Sequence, residues 1–201
     1  MKITSWNVNS INSRIDHLVK FIKKDNSDIY LLQELKSINE NFPENQIKQL
    51  GYYSYVNGQK AWNGVAILSK KKIKITNNSI PQYNDENARF IETEINHKKL
   101  KKLIKLICIY LPNGNPIETE KFNYKIQWMD EFNNYICSLK NQKIPIIIGG
   151  DFNVIPNVVD INFFKPSKNK FKTFTFLQVA SLNDNNNQEM LIAAFCIFVK
   201  K

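Results

Sequence analysis

Two uninterrupted apolar runs constrain this chain more than any other feature. Asp28-Ile29-Tyr30-Leu31-Leu32 stops abruptly at Gln33-Glu34, and Ile144-Pro145-Ile146-Ile147-Ile148 stops at Gly149-Gly150-Asp151-Phe152-Asn153. A strand with one face in water alternates apolar and polar residues, whereas a run without alternation suits a strand covered on both faces. Covering layers must therefore exist, and each run leaves a carboxylate where its apolar stretch ends.

The remaining pattern supplies those layers. Ile3 to Trp6 is a short β-type run ending in the turn formers Asn7-Val8-Asn9-Ser10. Ser13 followed by Asp16 predicts a helix start, with Ile15, Leu18, Val19 and Ile22 at helical spacing. Gly64 to Leu68, Phe90 to Ile95 and Leu103 to Ile109 have strand length and β-branched enrichment. Phe122, Ile126, Met129, Phe132, Ile136 and Leu139 predict a long amphipathic helix in a segment opened by Pro116 and Glu118. The order strand, helix, strand, several strands, helix, strand implies α/β layers with helices covering sheets. The expected unit is one domain over residues 1–160; residues 161–201, with scattered phenylalanines and the polar patch Asn183 to Asn187, form a divergent tail without an assigned element.

Charge and cysteine usage narrow the setting. A net charge of +10 on 201 residues suits a phosphate-bearing partner, since bound lysines release the condensed counterions of a polyanion. Only Arg14 and Arg89 of the 28 basic residues are arginine, so a solvated lysine surface produced by AT-biased coding explains the charge equally well. Cys108, Cys137 and Cys196 are widely spaced among apolar neighbours and imply neither a disulfide framework nor a zinc site. Met1 to Trp6 does not read as a signal peptide. Met190 to Val199 is about half of the roughly 20 residues needed to span a bilayer. A cytoplasmic protein with no membrane association, and a monomer, is the expectation.

Asn7, Glu34 and Asp151 each follow an apolar run, and strand ends in layered α/β folds tend to share a rim. Two carboxylates with an amide would suit Mg²⁺, which takes few protein oxygens and keeps several waters. Singly, each is weak evidence, since an Asp or Glu at a strand end is more often a solvated loop residue or a helix cap.

The local strings carry more. Ser5-Trp6-Asn7-Val8-Asn9-Ser10, Leu32-Gln33-Glu34, Gly58-Gln59-Lys60 followed by Gly64-Val65-Ala66, Tyr110-Leu111-Pro112-Asn113-Gly114, and Gly150-Asp151-Phe152-Asn153 stand in this order along the chain. In sequence and spacing the first 160 residues resemble the exonuclease III / apurinic endonuclease family. That resemblance implies the four-layer αββα sandwich of DNase I-like proteins, incomplete at the C-terminus, and a magnesium-dependent (or manganese-dependent) DNA-repair phosphodiesterase acting on double-stranded DNA at abasic sites and 3′ ends. It makes Glu34 the principal metal ligand, with Asn7 ordering the metal and water shell; Asn9 stands where some relatives have aspartate. It brings Tyr110 to the scissile phosphate, Asp151 to the attacking water, Asn153 to the transition state, and Asn113 and Arg89 to the DNA backbone.

Relatives continue with a Trp/Tyr-bearing segment, a supporting aspartate and a terminal Ser-Asp-His, none of which follows Asn153. His17 reads as a helix-surface residue and His97 as a hairpin-tip residue. Reduced or lost activity is therefore expected, with a non-catalytic DNA-binding remnant, or a related phosphoesterase on another substrate, as alternatives. Because all candidate DNA contacts are to phosphates, affinity for duplex DNA should fall steeply between low and physiological salt, about 10³-fold or more for six or more contacts, with little sequence preference. Fluorescence-anisotropy titrations that show no salt dependence would assign the +10 charge to coding bias alone.

Overall fold

The structure, a computed structural model, describes residues 1–97, 102–142 and 144–154. The expectations for the tail at 161–201, for Met190 to Val199 and for Cys196 lie outside them. In chain order the elements are β1 (Ile3–Asn7), α1 (Ile11–Asp25), β2 (Ile29–Gln33), α2 (Glu44–Gln49), β3 (Tyr53–Asn57), β4 (Val65–Ser69), β5 (Lys74–Asn77), β6 (Phe90–His97), β7 (Lys102–Tyr110), α3 (Glu120–Asn141) and β8 (Ile146–Asp151). One sheet has the order β1-β2-β4-β3 and the other β5-β6-β7-β8.

Alternation along the central strands sorts side chains into layers. In β2 and β4, Ile29, Leu31, Val65 and Ile67 face the second sheet, meeting Ile91, Ile95, Ile104, Leu106, Cys108 and Tyr110. Their neighbours Tyr30, Leu32, Ala66 and Leu68 point the other way, under Ile11, Leu18 and Ile22 of α1 and Ile47 of α2. Phe90, Ile107 and Ile109 face outward from the second sheet against Trp128, Ile136 and Leu139 of α3. Helix, sheet, sheet and helix thus stack as the four layers expected from sequence. Each large apolar side chain buried this way contributes about 1.5–3 kcal/mol. β2 and β4 are buried along their whole length, as an unalternating apolar run requires. The second such run, in β8, is instead half-buried apart from Gly150, because β8 is the last strand of its sheet among the described residues.

Four further details differ from the sequence reading. Helix α1 begins at Ile11, not at Ser13, because the Ile11 amide donates to Leu35 O at 3.0 Å and so holds the first turn against the end of β2. The short edge strands β3 and β5 and the helix α2 lack long apolar runs and escape the pattern. The buried face of α3 centres on Lys125, Trp128, Ile136 and Leu139, whereas Phe122, Ile126 and Met129 are half-buried. Cys137, expected among apolar neighbours, is exposed; Cys108 is buried between the sheets.

The pairs β1/β2 and β7/β8 are parallel, with Asn7 opposite Gln33 and Tyr110 opposite Asp151. Their C-terminal ends therefore finish on one rim. Close approach at β8 depends on two glycines. A Cβ at Gly149 would lie 2.5 Å from Leu31 Cδ1, the movable end of a side chain, whereas one at Gly150 would lie 2.0 Å from Ile109 O in the paired strand. Gly150→Ala should therefore be the more damaging substitution, at about 3 kcal/mol or more, while Gly149→Ala stays within the roughly 1–3 kcal/mol usual for overpacking. Urea unfolding of the two variants decides this, and equal midpoints would contradict it.

Candidate active site

Four strand ends meet at the rim. Asn7 closes β1, Glu34 directly follows β2, Tyr110 closes β7 and Asp151 closes β8. The Asn7 Nδ2 group donates to Glu34 Oε1 and to Asp151 Oδ2, each at 2.7 Å. Its Oδ1 accepts from the Asn9 amide at 3.0 Å. Two carboxylates sharing one amide would otherwise repel each other, and the shared donor holds both oxygens at fixed positions. In this arrangement Asn7 orients the carboxylates and spends its own oxygen on the backbone.

Glu34 has two further partners. The Tyr110 hydroxyl donates to Oε1 at 3.0 Å, and Lys36 Nζ lies 3.0 Å from Oε2. Lys36 also donates to Asn9 Oδ1 at 2.6 Å, and its ammonium sits 5.9 Å from the ring centre of Trp62, which is 76% exposed. Glu34 adopts a left-handed backbone conformation, φ 54°, which is costly for a residue other than glycine. Flanking backbone bonds hold it there: Ser10 N to Glu34 O at 2.7 Å and Leu35 N to Gly64 O at 3.1 Å. Tyr110 points inward between the sheets, and burial, reinforced by the Glu34 charge, keeps its hydroxyl protonated well above the ordinary tyrosine range.

The turn after β8 is tied down from several sides. The Asn153 amide donates to Asp151 Oδ1 at 3.0 Å, and its Nδ2 donates to Leu111 O at 2.7 Å, using one of its two N–H groups. Leu111 N returns a bond to Asp151 O at 2.9 Å. Lys125, buried on α3, donates to the carbonyls of Asn153 at 2.7 Å and Asn113 at 3.1 Å. Asn113 itself is exposed at the rim, its Oδ1 taken by the Asn115 amide.

Arg89 is not a simple surface arginine. Its guanidinium lies 5.0 Å from the Tyr110 ring centre and 5.7 Å from that of Tyr124, and donates to Tyr110 O at 3.2 Å. It sits behind the tyrosine and backs the site with positive charge. Gln59 accepts from Ala88 N and from Asn63 Nδ2, both at 2.9 Å, which fastens the Gly58–Gly64 loop to the Arg89 turn. His17 lies exposed on α1, and no cluster of three or more His, Cys, Asp or Glu occurs among the described residues.

The structure thus brings Asn7, Glu34, Tyr110, Asp151 and Asn153 together, sets Asn113 at the margin and Arg89 behind. Sequence reasoning missed Lys36 and Lys125. A basic residue two positions past a strand-end carboxylate was a usable signal for Lys36. Lys125 gave none, because a lysine on a helix reads as solvent-facing.

The fold is thus a layered α/β sandwich that brings two carboxylates to one rim. The chain belongs to the Endonuclease/Exonuclease/phosphatase family, whose model matches residues 4–189. It is similar to exodeoxyribonuclease III of Haemophilus influenzae, 32% identical over 167 residues that cover 80% of this chain and 60% of that protein. Among solved structures it resembles an AP endonuclease from Archaeoglobus fulgidus, at 32% identity and TM-score 0.70, covering 80% of this chain and 60% of that one. The Neisseria 3′ phosphatase NExo, solved bound to a product DNA hairpin, aligns at 30% identity and TM-score 0.70, covering 78% of this chain and 59% of that one. The chain therefore spans about three-fifths of the length of these relatives.

Because Tyr110 stays neutral, its role is to donate to Glu34, not to titrate. Tyr110→Phe should destabilise the fold by about 0.5–1.5 kcal/mol through the lost hydrogen bond. It should leave the stability profile between about pH 6 and 9 parallel to wild type, since a phenol held neutral up to and beyond its ordinary value of about 10 adds no proton change in that window. Chemical denaturation across that range would show converging curves if the hydroxyl ionised there.

Proposed function

We propose that this chain hydrolyses phosphodiester bonds of double-stranded DNA, at abasic sites and 3′ ends, in a reaction that needs a divalent metal. The observation that carries this reading is the convergence of Glu34 and Asp151 on one Asn7 amide, with Tyr110 beside them. The similar proteins, an exodeoxyribonuclease III, an AP endonuclease and a 3′ phosphatase bound to DNA, narrow the substrate class.

The donor set suits Mg²⁺, with Mn²⁺ as a substitute: oxygen donors are few and anionic, and waters would complete the shell. Glu34 is the residue to hold it. A bound divalent ion supplies counter-charge to the phosphorane-like transition state and to the leaving oxygen. This chain's own groups do the rest. Asp151, fixed by Asn7 and by the Asn153 amide, orients the attacking water and accepts its proton. Tyr110 and Lys36 set the Glu34 carboxylate from opposite oxygens. The remaining N–H of Asn153 and the exposed Asn113 face the phosphate and the DNA backbone, and the basic surface draws in the duplex.

Single-turnover cleavage of a duplex with one abasic site tests this. Cleavage should require Mg²⁺ or Mn²⁺ and should fall by about 10²–10⁴-fold in Asp151→Ala and in Glu34→Ala. Cleavage that persists in chelator, or that is the same in Asp151→Ala as in wild type, would assign the activity to a contaminant and overturn the reading.

A further inference from the structure

We infer that Lys125 is a positioning residue: its buried ammonium clamps the Asn113 loop and the Asn153 turn together and so sets the geometry of Asp151. Lys125 is 5% exposed, the first buried position of α3 and one turn before Trp128 on the face that the helix packs on the second sheet. Its Nζ bonds two backbone carbonyls, one from each loop, and no carboxylate pairs with it among the described residues. The chain makes room for it. A Cβ at Gly114 would lie 2.5 Å from Lys125 Cδ and 3.0 Å from its Cβ, so only glycine lets the lysine stem cross the loop.

An apolar side chain of similar length would fill this slot without burying a charge, which is costly unless the charge is well bonded. Leu111, Phe152 and Val154 already pack into the apolar cluster that α3 covers; what the lysine adds is a polar link that fixes the two backbones themselves, at Asn113 O and Asn153 O. Asn153 O is bound by Lys125, Asn153 N by the Asp151 carboxylate, and Asp151 O by Leu111 N, two residues before Asn113. Pulling Lys125 out therefore loosens Asp151 through the backbone. The ammonium is also close enough to Asp151 for the two charges to interact, and burial lowers the lysine pKa while that carboxylate opposes the shift.

The kinetic part of this role rests on the hydrolytic reading above, whereas the clamp itself does not, so the test has two arms. In hydrogen–deuterium exchange of the full chain, Lys125→Met should speed exchange of amides in 111–114 and 151–154 by about tenfold or more, as expected for loss of charge-assisted bonds, with β2 and β4 unchanged. In single-turnover cleavage, Lys125→Met should lower the rate at saturating DNA by about 10²-fold, the size expected for a small misplacement of reacting groups, with little change in the DNA concentration for half-maximal rate. Lys125→Arg, which keeps the charge and the donors, should recover most of both.

Wild-type exchange in both segments of Lys125→Met would overturn the clamp. Faster exchange with an unaltered rate would overturn the positioning role and leave a structural bond only. If exchange rises everywhere because Lys125→Met unfolds, Lys125→Gln, with a neutral donor, takes its place under the same criteria. A wild-type chain that does not cleave DNA fails the hydrolytic reading, and the exchange arm still decides the clamp.

Discussion

The Asn7 amide is the interaction on which the arrangement of this protein turns. It joins residues 144 positions apart, and it does so across two sheets, from β1 to the end of β8. Two ionised carboxylates at this spacing repel, and in a half-buried site that repulsion is stronger than in water. One NH₂ group donating to both removes the conflict and fixes their relative geometry. Everything upstream serves that meeting: the parallel pairs β1/β2 and β7/β8 bring strand ends to one rim, and Gly150 lets β8 approach β7 closely enough for Asp151 to stand opposite Tyr110.

Around the carboxylates the protein places positive charge at several depths. Lys36 is nearest, paired with Glu34 near the surface; Arg89 lies behind Tyr110, stacked between two rings; Lys125 lies beneath the Asn153 turn. Each is held by hydrogen bonds to backbone or carboxylate, so the field is built before any substrate arrives. Between the sheets, below the site, Gln33 bonds Ser5 and the Cys108 thiol, a polar seam in an otherwise apolar interface. Burial drives the Cys108 thiol up to about 12, so it stays neutral and inert there.

A second buried charge lies on β6 opposite Ile107 of β7, on the side of the sheet that α3 covers, and has a different character. Glu92, with a fully buried side chain, accepts from Thr76, Asn77, Lys105 and Tyr135, joining β5, β7 and α3. Burial pushes its carboxyl up, and the four donors more than reverse this, leaving it below the usual carboxylate range. Its partners are complete, so it reads as an internal fastening of the short edge strand β5, which the sequence pattern could not reveal. The site at the rim differs in keeping acceptors and an amide at half-buried positions.

The layers and most of the candidate residues were legible in the order of residues along the chain. Alternation, its absence, and the residue after each apolar run are local signals, so Asn7, Glu34 and Asp151 could be picked out as strand-end groups and layers of helix on sheet anticipated, while the family resemblance added Tyr110 and the αββα order. Which atoms meet was settled by the packing of the layers on one another. That Asn7 serves both carboxylates, that Arg89 stacks behind Tyr110, and that Lys125 turns inward are contacts between distant segments, set by the packing of one sheet and one helix on another. Local periodicity carries no record of such contacts. A lysine on a helix, or an asparagine after a strand, has the same neighbours in sequence whether it ends in solvent or in a site, and the free energy that chooses between them comes from the carbonyls and carboxylates that folding brings to it.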